Sequence, residues 1–138
     1  DPDTYKFELG KGVELKSGKD ITIVATGLCV SESLKAAEML KEAGVDAQVI
    51  NIHTIKPIDE DIIINAAKKT GRIFTVEEHS IIGGLGSAVM EVLSEKYPTK
   101  VTRIGVNDTY GCSGPAKELL HVFGLDAEGI AAKIKENL

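Results

Sequence analysis

The sequence contains no tryptophan, and three phenylalanines and three tyrosines bring its aromatic content to only 4%. Too few flat rings are available to stack a run of nucleobases. Excess positive charge is missing as well: 21 Asp and Glu residues against 16 Lys and Arg give a formal net charge of −5, which leaves no basic face to neutralise a phosphate backbone. Nucleic acid is therefore not an expected partner. No apolar run approaches the roughly 20 residues that a membrane-spanning helix requires, so a membrane is not expected either. Cys29 and Cys112 are the only cysteines; they lie far apart, without metal-ligand spacing and with no signal-like apolar region before them. That usage reads as a reduced, cytoplasmic protein. The three histidines, His53, His79 and His121, show no pairwise spacing for zinc. No G-x-x-x-x-G-K-S/T loop is present to cradle a nucleoside triphosphate, and there is no internal repeat or low-complexity tract.

What is present is a chain of 138 residues, 43% apolar and 27% charged, enough for one globular domain with a proper core. Residues 1–9 are polar, without a helix cap or apolar period, and read as the remnant of a linker from something upstream; the domain is expected over 10–138. Gly12 to Lys16 offers a short strand, closed by the turn residues Ser17-Gly18-Lys19-Asp20. Ile21 to Ala25 is a continuous β-branched apolar run, which suits a strand covered on both faces at the centre of a largely parallel sheet. An amphipathic helix follows Thr26-Gly27, with Ser31 as its expected N-cap, Leu34, Ala37 and Leu40 as its stripe and Gly44 as its stop. Ala47 to His53 is the next strand. Asp59, Glu60 and Asp61 then put negative charge at a helix start, where the macrodipole favours it, and Gly71 ends that helix.

The stretch Arg72 to Leu93 organises the rest. Arg72 to Val76 reads as a strand, whereas Leu85, Ala88, Val89, Val92 and Leu93 fall at helical spacing. Between them lie Glu77, Glu78 and His79, the apolar step Ile81-Ile82, and Gly83, Gly84 and Gly86. Those glycines allow a close backbone approach, and the helix start presents unpaired N–H groups. Pro98 marks the end of the helix, Lys100 to Val106 is the last strand, Pro115 leads into a helix bearing Leu119, Leu120 and Phe123, and Asp126 caps a terminal helix. Strands alternating with helices mean βαβ units and a parallel sheet. The first strand, separated from the second by a turn alone, has to run antiparallel.

The segment V-E-E-H-S-I-I-G-G-L-G-S-A-V, residues 76–89, is similar to the signature of the C-terminal domain of transketolase and of its relative 1-deoxyxylulose-5-phosphate synthase, two thiamine-diphosphate enzymes. The resemblance runs from Gly10-Lys11-Gly12 to the last helix, and Asp108-Thr-Tyr-Gly-Cys-Ser-Gly-Pro-Ala116 with Phe123-Gly124-Leu125 tilts it towards transketolase. It implies a three-layer α/β/α fold around a five-stranded, mostly parallel mixed sheet of order 1-3-2-4-5 with strand 1 antiparallel. It also implies a function: part of a transferase that moves two-carbon ketol units between sugar phosphates. The same resemblance implies that thiamine diphosphate and magnesium are held by the other domains, with which this one packs, and that the full enzyme is a homodimer. A G-D-G segment, which usually begins the ligand set for the diphosphate-bound magnesium, is absent here. No residue is accordingly assigned a catalytic, cofactor-binding or metal-ligating role, and the chain alone is expected to bind no cofactor and to be inactive.

In a sheet of that order a crevice opens beyond the carboxyl ends of strands 2 and 4. That places Thr26 to Ser31 opposite Glu77 to Gly86, with Thr26, Gly27, Ser31, Glu78, His79, Ile81, Ile82, Gly83, Gly84 and Gly86 as the candidate residues. Two readings stand: helix N-termini that hold a carboxylate or phosphate, or a contact surface that a neighbouring domain covers. His79 fits a general acid or base or a bridge to a partner chain, and the adjacent Ile81 and Ile82 favour contact. Gly84-Leu85-Gly86-Ser87-Ala88-Val89 resembles G-x-G-x-x-G only superficially, since valine stands where the third small residue belongs. Cys29 suits a small buried position better than a reactive thiol. A synthase domain, and a free-standing anion-binding or regulatory module, are the alternatives to a transketolase domain.

Overall fold

The computed structural model describes residues 11–27, 29–53, 58–80, 84–106 and 125–138, with only the backbone described at 78–80 and 106. Five strands, β1 (Val13–Lys16), β2 (Ile21–Ala25), β3 (Ala47–Asn51), β4 (Arg72–Ser80) and β5 (Lys100–Val106), form one sheet of order β1-β3-β2-β4-β5. Strand β2 pairs in parallel with β3 and β4, β5 is parallel to β4, and β1 runs antiparallel to β3. The expected order and the reversed first strand are both observed.

Helices α1 (Cys29–Glu42) and α4 (Ala127–Glu136) cover one face, and α2 (Glu60–Thr70) and α3 (Leu85–Lys96) the other. Alternation along the strands builds both cores. Ile21, Ile23 and Ala25 of β2 with Phe74 and Val76 of β4 meet Ala36, Leu40, Ile130 and Ile134. Val24, Ile50 and Ile73 turn to Ile63, Ala67, Leu85, Val89 and Leu93. Every residue of β2 is buried, as its unbroken apolar run requires of a central parallel strand. Each of the large aliphatic side chains stabilises the fold by about 1.5–3 kcal/mol on burial.

The helix ends follow from local chemistry. At α1, Gly44 at φ 85° donates to the Lys41 carbonyl and Val45 to that of Leu40, the paired bonds of a glycine-closed C-terminus. Gly71 closes α2 at φ 72°, and the Asp126 carboxylate accepts from the Gly129 N–H at 2.9 Å to open α4.

Three local expectations need correction. Ser31 is not the N-cap of α1: the helix starts two residues earlier, at Cys29, because the positive φ of Gly27 (63°) turns the chain at once, and Ser31 is an exposed residue inside the first turn. Strand β3 ends at Asn51, two residues short of His53. Strand β4 runs on to Ser80 instead of stopping at Val76. Its pairing with β5 jumps from Val76↔Ile104 to Ser80↔Val106, so four steps on β4 match two on β5 and the extra residues are absorbed in a bulge. The helix expected from Pro115, Cys112, His121 and residues 1–9 lie outside the described residues.

Candidate functional site

The connection from β2 leads through α1 to β3 on one side, while β4 flanks β2 on the other. The switch point is thus where the sequence order places it, and the Thr26 N–H donates to the Val76 carbonyl at 3.4 Å across it. Of the expected site residues, the structure brings Thr26 and Gly27 to the end of β2 and Gly84 and Gly86 to the start of α3, beyond the end of β4. Ser31 lies on the exposed side of the first turn of α1. Glu78 and His79 are backbone members of β4; their side chains, and Ile81, Ile82 and Gly83, fall outside the described residues.

Glu77 is the residue that sequence reasoning underrated. Alternation after Val76 sends its side chain to the α2/α3 face, where it is 1% exposed. One carboxylate oxygen accepts the Leu85 N–H at 2.7 Å and the other the Gly86 N–H at 3.3 Å. These are the first two amide donors of α3, which has Gly84 as its N-cap, no side-chain cap and no acidic residue in its first turn. A carboxylate of the chain itself therefore occupies this helix start, and its charge suits the positive end of the helix dipole. Gly84 explains itself in the same geometry: a Cβ there would lie 2.6 Å from both Glu77 carboxylate oxygens. Its φ of −100° demands no glycine, so close approach rather than backbone freedom is the reason. At Gly86 a Cβ would meet the Arg103 stem at 2.6 Å and Thr75 Oγ1 at 2.9 Å.

The other helix start at the crevice is also closed from within: the Cys29 N–H donates to the Thr26 carbonyl and the Val30 N–H to that of Gly27. The Leu85, Gly86, Cys29 and Val30 N–H groups therefore already have partners within the chain. Cys29 is fully buried there, the small interior position expected of it. His53 is half-buried beyond the end of β3. A signal for Glu77 was readable in the sequence: an acid after a strand, followed by a helix with a glycine cap and no acid in its first turn.

The chain matches the family "Transketolase, C-terminal domain" over residues 10–130. A protein named as a transketolase C-terminal section from Methanocaldococcus jannaschii is 53% identical over 133 residues, covering 96% of this chain and 41% of that protein. A 1-deoxy-D-xylulose-5-phosphate synthase from Geobacter sulfurreducens is 41% identical over 134 residues, 96% of this chain and 21% of the synthase. Among solved structures, the inactive beta4 tetramer of a split-gene transketolase superposes with a TM-score of 0.91 at 48% identity, over 99% of this chain and 44% of that one. The chain thus spans less than half the length of each of these relatives.

Proposed function

We propose, from the premise that this chain belongs to the transketolase C-terminal domain family, that it is the C-terminal part of a transketolase. The complete enzyme transfers two-carbon ketol units between sugar phosphates with thiamine diphosphate and magnesium, as a cytoplasmic homodimer of the pentose phosphate pathway. This domain contributes packing and assembly. The observation that carries the reading is the likeness, over nearly the whole of this chain, to a transketolase C-terminal section in sequence and to a split-gene transketolase in fold. Its substrates and partners are those of the whole enzyme: sugar phosphates, and the remaining transketolase domains.

The described residues do not fit the magnesium of a bound diphosphate. Glu77 is the one buried carboxylate among them, both its oxygens are committed to α3, and no group of three His, Cys, Asp or Glu side chains comes together. No chemical step is therefore assigned to this chain. Thr26, Gly27, Ser31, Glu78, His79, Ile81, Ile82, Gly83, Gly84 and Gly86 remain its contact candidates. The synthase reading is supported by the 41%-identical relative and differs in the acceptor; the sequence upstream of residue 1 decides between the two.

Calorimetric titration of the chain with thiamine diphosphate and magnesium tests the proposal. No heat of specific binding is expected, and stoichiometric binding overturns it. Replacing Ile81 and Ile82 together by aspartate is expected to leave the fold of this chain intact and to weaken assembly of the complete enzyme. A large loss of the chain's own stability would instead make those residues core.

A further inference from the structure

We propose that Glu77 is a positioning residue, a clasp that fixes the end of β4 to the start of α3 and so sets the separation of the two ends between which residues 78–84 run. Glu77 and Leu85 are eight positions apart, yet they are joined at 2.7 Å through a side chain that solvent does not reach. The strand end itself is irregular, since the pairing of β4 with β5 shifts between Val76 and Ser80. Over that bulge the backbone ladder gives weaker definition, and the carboxylate supplies the missing constraint. Its seat is shaped for one group. Leu85 and Gly86 amides face one oxygen each, Gly84 leaves room only because it lacks a Cβ, and Thr75, 1% exposed, packs against Gly86 from the preceding inward position of β4.

The consequence for assembly rests on the proposed function: if 78–84 is a contact segment, the clasp fixes the separation of its two flanking ends and so lowers the ordering cost of association. The clasp itself does not depend on that reading.

Amide hydrogen exchange on the chain tests it, comparing wild type with Glu77→Ala, Glu77→Gln and Gly84→Ala. Glu77→Ala is expected to speed exchange at Leu85 and Gly86 by about tenfold or more beyond the change at Ile23 and Val24 of β2, which report global opening. Formate, a carboxylate small enough for the vacated seat, is expected to restore protection at Leu85 and Gly86 in Glu77→Ala while leaving wild type unchanged. A residue that merely adds bulk to the core would not be rescued in this way. Should Glu77→Ala fail to fold, Glu77→Gln carries the measurement, because it keeps the shape but turns one acceptor into a donor that opposes an amide. Gly84→Ala displaces the carboxylate and is expected to expose the same two amides. Unchanged exchange at Leu85 and Gly86, or acceleration shared equally by β2 with no response to formate, overturns the clasp. If the two amides respond as expected but the complete enzyme assembles normally with Glu77→Gln, the clasp stands and the contact reading of 78–84 falls.

Discussion

Helices α2 and α3 lie side by side on one face of the sheet, yet their N-termini are closed in opposite ways. At α2 the solution is local. Asp59 is the N-cap, its carboxylate accepts from the Ile62 N–H three residues on at 3.3 Å, and Glu60 and Asp61 add charge in the first turn. At α3 the N-cap is a glycine without a side chain, the first turn has no acid, and a carboxylate from the neighbouring strand does the capping. Both arrangements satisfy the same orphan amides and the same dipole. They differ in what they couple. The second oxygen of Asp59 accepts the Gly12 N–H at 2.9 Å and ties α2 to the approach to β1, near the edge of the sheet. Glu77 ties α3 to an inner strand, out of contact with water.

Substitutions can break this contrast, beginning with the largest expected effect. Glu77→Ala is expected to cost about 3 kcal/mol in chemical denaturation, because two charge-assisted hydrogen bonds vanish and two buried donors lose their acceptor. Asp59→Ala is expected to cost about 1–2 kcal/mol, the range for a lost N-cap with water available to replace it. Equal losses at the two positions would erase the distinction between local and non-local capping. Smaller again is Gly71→Ala at the far end of α2. The residue has φ 72° with nothing within 4 Å of an added Cβ, so the whole effect, about 1 kcal/mol, is left-handed backbone strain, and a thermal melt reads it. Ser31→Ala sharpens the comparison from the other side. A true N-cap would lose about 1 kcal/mol, whereas an exposed serine inside the first turn of α1 is expected to change stability by less than about 0.5 kcal/mol.

Sequence reasoning went furthest wherever the decisive partner lay nearby in the chain. The acidic start of α2, the stops at Gly44 and Gly71, and the bounds of β2 and β5 all follow from residues within a turn or a strand of one another. It faltered at Ser31, where a good capping residue lies two positions after the turn that starts the helix, because Gly27 decides where that turn falls. At β4 it faltered for a different reason. Glu77 and Glu78 look like loop residues by composition, and only the pairing with β5 and the bulge reveal that the strand continues through them.

By itself the sequence determined the α/β class, the central position of β2, the reversed first strand, and, through the 76–89 signature, the family. These rest on periodicity, turn chemistry and a contiguous motif, all written in local order. Tertiary structure alone decided what the acid at the strand end does. Whether Glu77 faces a ligand, a partner or its own helix depends on a two-step register shift and on the depth at which α3 packs. Both are set by contacts among β4, β5 and α3 rather than by any residue's preference for its neighbours.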